Sequence, residues 1–443
     1  MVFPFVTDNE KQAAFDYLDR ALEKTNEVTY IPKDVCLRSV KKVGVVGAGT
    51  MGGGIAMSFA NTGFPVVIVD NNDESLSRGL QRICDNYEHS LKKGKITESQ
   101  KVERIQLIDG RVGLAELSDC DLVIEAVYED MDLKKSIFQD LDKIAAPGAI
   151  LATNTSGLDI NEIASSTSRP SDVIGAHFFS PAHVQKLLEI VRCEESSPEV
   201  VATLMDIGRR IGKVTVLSEV YPGFIGNSLF RQYIREAHFL VEEGCLPHEV
   251  DDVLKRFGFS MGVFEVHDMA GNDVGWQMRK KQMHTRPQDR RWNDLILELC
   301  DMGRMGQKTG KGWYYYDEGS RVPNRDPDIE EFIIERSSRL GIGRRKIDED
   351  EILKRCLYSM INEGAKLLEN KVALRASDID VTFITGYGFP KERGGPMYFA
   401  DQIGLSNIYK DVSNYYQEHG YWWKPSGLLE ELSKKGARFS DYF

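Results

Sequence analysis

Cysteine is sparse in this 443-residue chain and never paired locally. Cys36, Cys84, Cys120, Cys193, Cys245, Cys300 and Cys356 stand apart with no C-x-x-C, which argues against a disulfide framework and a zinc site and fits a reducing compartment. Long apolar runs are missing as well. No stretch is long enough to span a bilayer, and the opening MVFPFVTDNEKQ lacks the basic start and apolar core of a signal peptide. Nor is there an excess of positive charge: 56 Lys and Arg face 68 Asp and Glu, a formal charge of -12. Nucleic acid is therefore a poor general partner, although local basic clusters could still hold a phosphorylated ligand. The closing SDYF is not an S-K-L type peroxisomal address.

What is present is enough for several cores, since a chain of this length implies about two to four domains. Phe15, Leu18 and Leu22 recur at helical spacing between Asp8 and Asn26, predicting a short amphipathic helix that packs on the neighbouring domain, then a polar linker containing Pro32. From Lys42 to about Ser218 the runs VGVVGAG, FPVVIVD, DLVIEAV, AILATN, DVIGAHFF and KLLEIV read as strands, several of them separated by helical stretches. That alternation predicts a doubly wound α/β domain. Beyond PGFIGN the periodicity turns helical, with Leu229, Tyr233, Ala237 and Leu240 on one face. After the linker DEGSRVPNRDPD the helical pattern repeats itself, pairing Glu236 with Glu363, Asp251 with Asp380, Gly258 with Gly388 and Asp268 with Asp401. The expected division is an amino-terminal helix and linker (1–40), the α/β domain (41–218), a first helical domain (219–320), and a linker with a second, duplicated helical domain (321–443).

The segment VGVVGAGTMGGG places a strand, the turn Gly47-x-Gly49-x-x-Gly52 and a helix starting near Met51 in succession. Gly47 permits the tight turn, Gly49 lets the backbone approach a pyrophosphate, and Gly52 lets helix and strand sit close, so phosphates face the helix N-terminus. Asp70 ends the next strand at the distance expected of a ribose-binding acid. A carboxylate there would repel a 2′-phosphate, which favours NAD over NADP. The plainer alternative makes Asp70 a cap for the helix of NNDESL.

The stretch GAHFFSPAHVQKLLEIV puts Glu189 among Leu187, Leu188, Ile190 and Val191. A desolvated carboxylate without a partner costs several kcal/mol, so Glu189 needs a wet face or a partner, and His177 on the preceding strand is the nearest candidate. A carboxylate on one imidazole nitrogen fixes the tautomer and stabilises the imidazolium formed when the other nitrogen takes a proton, as hydride transfer from an alcohol requires. Taken alone, His177 would more often be a satisfied core histidine, but Glu189 and the upstream dinucleotide signature reverse that reading. Ser156 in ATNTSG and Asn227 in PGFIGN could complete the set or act as helix caps.

GAGTMGGGIA, VIEAVYED, NTSGL, GAHFFSPAHVQKLLEIV, PGFIGN and GQKTGKGWYYY follow one another in an order and spacing that resemble the 3-hydroxyacyl-CoA dehydrogenase family. The likeness is greatest to the dehydrogenase portion of the bifunctional peroxisomal β-oxidation enzymes. The resemblance implies a Rossmann-type NAD-binding domain followed by two homologous all-α domains, an acyl-CoA thioester substrate, and NAD as cofactor. It implies His177 as general base with Glu189 as orienting partner, and Ser156 and Asn227 positioning the substrate's 3-oxygen and the cofactor. Gly47, Gly49, Thr50, Met51, Gly52, Asp70, Glu129, Lys134, Ser156 and Lys308 would meet NAD, and Lys93 the phosphates of coenzyme A. A peroxisomal setting is implied too, although the SDYF terminus leaves the cytosol open.

Some positions depart from the family pattern. The usual MGPF is Met261-Gly262-Val263-Phe264, the usual GLD is Gly271-Asn272-Asp273, and Asn86 stands where relatives tend to have a serine near coenzyme A. No hydratase domain precedes the NAD-binding half, so no hydratase activity is expected, and a functional link to a separate hydratase stays open. The duplicated half is expected to replace a dimer partner and make the chain a monomer, with Lys354 at the position matching Asn227 and no second active site. Two rival readings stand beside this one: a β-hydroxyacid dehydrogenase, which would typically carry a lysine four residues after Asn227 where this chain has Arg231, and a non-catalytic NAD-binding homologue.

Overall fold

The computed structural model describes residues 6–32, 34–276, 279–280 and 283–442. The first five residues and the last one, on which part of the leader and address readings falls, lie outside the described residues. The chain divides into a sheet unit (18–227 and 370–386) and a helical unit (1–17, 228–369 and 387–443).

In the sheet unit, β1 (Val43–Val46), β2 (Val66–Asp70), β3 (Ile108–Val112), β4 (Leu122–Glu125), β5 (Ile150–Thr153), β6 (Val173–Phe178), β7 (Leu187–Arg192) and β8 (Val214–Glu219) form one sheet in the order β3-β2-β1-β4-β5-β6-β7-β8. All neighbours are parallel except β6 and β7. The helices α2 (Thr50–Ala60), α3 (Asp73–Lys92), α4 (Glu98–Gln106), α5 (Met131–Ile144), α6 (Ile160–Ala164) and α7 (Pro198–Arg210) lie between the strands in sequence, which makes the doubly wound α/β class the observed one. The interior strands β1, β4 and β5 are buried at every position, as expected of a parallel sheet covered on both faces. Strand order reverses at β1, which opens a crevice at the carboxyl ends of β1 and β4.

Two strands were not among the runs read from sequence. β3, with the sequence IDGRV, carries Asp109 and Gly110, residue types depleted in strands, and it is held by pairing with β2 at the sheet edge. β8 was legible only as the end of the α/β region. Its outer flank is covered by α14 (Ala376–Gly386), and Ser218 bridges to Ala373. That packing explains why residues 370–386, from the duplicated half, belong with the sheet.

The first helix, α1 (Asp8–Lys24), has a buried stripe of Ala14, Leu18 and Ala21, whereas Phe15 is 38% exposed. The buried stripe thus shares Leu18 with the expected face and otherwise runs one residue before Phe15 and Leu22.

The helical unit contains the body of α8 (Gly226–Glu243), then α9 (Pro247–Phe257), α10 (Val263–Ala270), α11 (Leu295–Asp301), α12 (Pro327–Arg339), α13 (Glu349–Glu369), α15 (Pro396–Ile403), α16 (Leu405–His419) and α17 (Gly427–Lys435). The α8 face predicted from sequence is buried at Leu229, Tyr233, Ala237 and Leu240. The duplication is visible in what paired residues do. Asp268 accepts the backbone N–H groups of Trp313 and Tyr314 at 2.9 and 3.0 Å, and Asp401 accepts those of Phe439 and Ser440 at 2.7 and 3.0 Å. Val263, where relatives have proline, is the first residue of α10, a position that proline suits but does not require. Asn272 is buried and donates to Asp268 at 3.0 Å and to the Arg304 carbonyl at 3.1 Å. Among the described residues no helix is long and apolar enough to cross a membrane.

Candidate active site

β6 and β7 are antiparallel with His177 directly opposite Glu189, so the two side chains leave the sheet on the same face. Glu189 is fully buried and His177 is 5% exposed. The imidazole Nδ1 and the carboxylate Oε2 are 2.7 Å apart. The other carboxylate oxygen accepts the backbone N–H of Gly226 at 2.8 Å, at the first turn of α8. A carboxylate in an apolar strand is therefore satisfied twice, by an imidazole and by a helix N-terminus, where the unpaired N–H groups favour negative charge. With Nδ1 engaged, proton exchange with a ligand falls to Nε2.

The imidazole is also walled by aromatic rings, Phe179 at 4.4 Å and Phe224 at 5.7 Å between centroids. Phe224 is buried with φ +52, a left-handed conformation that costs a bulky residue of order 1–3 kcal/mol. It sits two residues before Gly226, so the strained turn that brings the α8 N–H to Glu189 also presents this ring to His177.

Asn227 follows Gly226, and its Nδ2 donates to the Ser156 carbonyl at 3.2 Å. Ser156 in turn donates to Glu129 through its N–H at 2.8 Å and its hydroxyl at 3.2 Å. Neither the Ser156 hydroxyl nor Asp70 is a helix cap: Asp159 caps α6, and Asn72 caps α3 by accepting the Ser75 N–H. Thr155 also donates to Glu129, at 2.6 Å. Behind them Lys134 is buried on Glu125 at 2.6 Å, with Glu129 at 3.6 Å, and Thr153 donates to Glu125 at 2.7 Å. His177, Glu189, Asn227, Ser156, Glu129 and Lys134 thus belong to one connected polar chain inside the sheet unit. Glu125, Thr153, Thr155 and the Gly226 N–H were not anticipated. Glu125 carried the same signal as Glu189, a carboxylate ending an apolar strand, VIE.

The crevice at β1 and β4 holds a cavity of about 1150 Å³, lined by Gly47 to Met51, Asp70 to Asn72, Arg78, Arg82 and Ala126 to Tyr128, among others. Gly47 has φ +98, and a Cβ on Gly52 would stand 1.8 Å from the Gly47 carbonyl oxygen, closer than any side chain tolerates. A Cβ on Gly49 would meet nothing within 4 Å, so at that position the backbone faces open space. Asp70 accepts the Ala48 N–H at 2.8 Å, tying the strand end to the turn. This is the cradle a dinucleotide requires: a backbone turn open to a pyrophosphate at a helix N-terminus, with an acid beside it. Lys93 is exposed at the end of α3, and Asn86 lies within 3.8 Å of the Met57 sulfur. Lys308 belongs to the helical unit, where it pairs with Asp273 at 2.6 Å. Among the described residues no group of three or more His, Cys, Asp or Glu could hold a metal ion.

A doubly wound sheet with this turn, followed by a helical C-terminal region, defines an NAD-binding protein of the α/β class. Residues 42–220 match the 3-hydroxyacyl-CoA dehydrogenase NAD binding domain, residues 223–316 and 352–438 match the C-terminal domain of the same family, and the chain belongs to that family. The second of the two C-terminal matches falls on the duplicated half. The peroxisomal bifunctional enzyme of Danio rerio is 42% identical over 417 residues, covering 90% of this chain and 57% of the relative. This chain therefore spans just over half the length of such curated relatives. Among solved structures, 3-hydroxybutyryl-CoA dehydrogenase from Escherichia coli K12 is similar with a TM-score of 0.77 at 26% identity, covering 90% of this chain and 99% of that one. The dehydrogenase part of multifunctional enzyme 1 from Caenorhabditis elegans gives 0.67 at 29% identity, covering 97% and 98%.

Proposed function

We propose that this chain catalyses the NAD-dependent interconversion of (S)-3-hydroxyacyl-CoA and 3-ketoacyl-CoA thioesters in fatty acid β-oxidation. The observation that carries the reading is the double engagement of Glu189, by His177 and by the Gly226 N–H. His177 takes the substrate hydroxyl proton on Nε2, while Glu189 holds Nδ1–H and stabilises the imidazolium that forms. The Gly226 N–H at the α8 N-terminus engages the other carboxylate oxygen of Glu189 without competing for the imidazole. Ser156 and Asn227, joined to each other and to the same turn, orient the reacting oxygen. NAD supplies the hydride acceptor. Gly47, Gly49, Thr50, Met51, Gly52 and Asp70 would hold it at the crevice, with Glu129, Lys134 and Ser156 beside it; Lys308 is the further NAD residue that the family resemblance implies. Lys93 suits the phosphates of coenzyme A.

The names of the relatives support a peroxisomal setting. The four-part division into helix and linker, α/β domain and two helical domains belongs to the same proposal, and so does a monomeric state, which pairing between the two helical repeats inside one chain supports. The β-hydroxyacid dehydrogenase alternative has no lysine to stand on, because Arg231 occupies the expected place.

The test is NADH oxidation by the pure protein with acetoacetyl-CoA and longer 3-ketoacyl-CoA thioesters, beside an NADPH control and His177→Gln. Turnover with NADH that vanishes in the variant, with NADH binding retained, supports the proposal. Tight NADH binding without turnover on any thioester favours the non-catalytic homologue.

A further inference from the structure

Lys213 is a buried charge that the proposed chemistry does not use. It is 8% exposed, just before β8, and no carboxylate pairs with it among the described residues. Burial, with a smaller contribution from Lys186, pushes its amine down to about 8. An apolar side chain would fill such a place at less cost, so the ammonium calls for a reason. Its donors supply one. Nζ donates to the Ala182 carbonyl and, at 2.7 Å, to the Gln185 carbonyl, both in the loop that joins β6 to β7. The Val214 N–H adds a bond of 2.8 Å to the Lys186 carbonyl at the end of the same loop.

The loop has two other attachments. Ala182 lies against α2, the helix that begins at the glycine turn: the Ser58 hydroxyl donates to its carbonyl at 3.1 Å, and a Cβ on Gly54 would come within 3.1 Å of the Ala182 Cβ. At the loop's start, Phe179 packs on the His177 ring. The segment between the proposed base and its carboxylate is thus wedged between the cofactor helix on one side and Lys213 on the other. His183 and Lys186 are the titratable groups in the loop, and the same burial, with Lys213 adding to it, holds His183 below its ordinary range.

We propose that Lys213 is a positioning residue for His177: by holding the 179–186 loop through two carbonyls it keeps Phe179 against the imidazole and Nε2 aimed at the substrate. This rests on the dehydrogenase reading for its consequence in turnover, but the geometry can be read separately.

The experiment compares wild type, Lys213→Met and Lys213→Arg in three measurements: steady-state kinetics, NADH affinity, and the ring resonances of His177 in histidine-labelled protein, assigned by their loss in His177→Gln. Methionine keeps the apolar stem and removes the donors. Its kcat should fall about 10- to 100-fold while KM for NADH stays within about twofold, the His177 ring signals should move, and arginine should restore most of both. Unchanged ring signals in Lys213→Met would overturn the proposal, as would a loss that arginine fails to rescue and that only follows the melting temperature. If wild type turns over no thioester yet the His177 signals move in Lys213→Met and return in Lys213→Arg, the positioning role stands and the dehydrogenase reading fails.

Discussion

Glu189 and Gly226, 37 residues apart, are joined by a backbone N–H to carboxylate bond of 2.8 Å. It ties the strand that carries the carboxylate to the first turn of α8, and leaves the second oxygen for His177. Replacing Glu189 with Gln keeps the shape and the bond from Gly226, but presents an amide donor to Nδ1. The imidazole would then carry its proton on Nε2, where it must accept one. Glu189→Gln should lower kcat by about 10³- to 10⁴-fold with NADH affinity nearly unchanged. Stopped-flow turnover beside NADH titration decides it, and near-normal kcat would refute the role.

The glycine turn offers a contrast between two methyl groups. Gly52→Ala places Cβ on the Gly47 carbonyl oxygen, so it should break the turn, lower the melting temperature and lose NADH together. Gly49→Ala meets open space in the protein and should leave melting unchanged while weakening NADH by about tenfold or more, because the methyl group stands where the pyrophosphate approaches. Calorimetry and NADH fluorescence on both variants would separate the effects.

Acid should destabilise the helical unit through two histidines. His238 and His267 lie 5.3 Å apart, and burial holds His238 well below its ordinary range and pushes His267 down to about 3. Both folded-state values lie below the unfolded one, so the unfolded chain binds more protons under about pH 6.5. Stability from this source is complete above that pH and is lost as pH falls, by about 2 kcal/mol for one such histidine near pH 5. Urea midpoints should drop from neutral pH to about pH 5, and His238→Phe should flatten that slope; an equal slope in both proteins would count against it.

Arg355 is fully buried between Glu236, at 3.0 Å, and Glu243. It reaches from α13 in the second helical repeat to α8 in the first. Arg355→Leu would leave Glu236 buried without its hydrogen-bonded cation, while Glu243 keeps Arg291 at 2.5 Å, and should cost about 3 kcal/mol in urea unfolding. The wild-type mass by light scattering should be that of one chain. A stable dimer would overturn the proposal that the repeats pair within the chain.

Much of the fold was legible because its signals are local. The turn with Gly47, Gly49 and Gly52, followed by Asp70, declares a strand, a turn and a helix within a few residues. The apolar runs of β1, β4 and β5 mark buried parallel strands in the same way. The repeated helical half was readable from the spacing of Asp268 and Asp401, whose matching bonds to distant backbone reveal a shared role. β3 was not legible, since IDGRV becomes a strand only by pairing with β2.

By itself, the sequence determined the fold class, the dinucleotide turn, the family, and the fact that Glu189 must have a partner, because burying a carboxylate in LLEIV without one is too costly. Tertiary structure alone decided who satisfies it and how completely. The register that sets His177 opposite Glu189, the turn through Phe224 that delivers the Gly226 N–H, and the hold of Lys213 on the intervening loop all join residues remote in sequence. Periodicity reports which face of an element is buried, whereas hydrogen-bond partners depend on which faces meet.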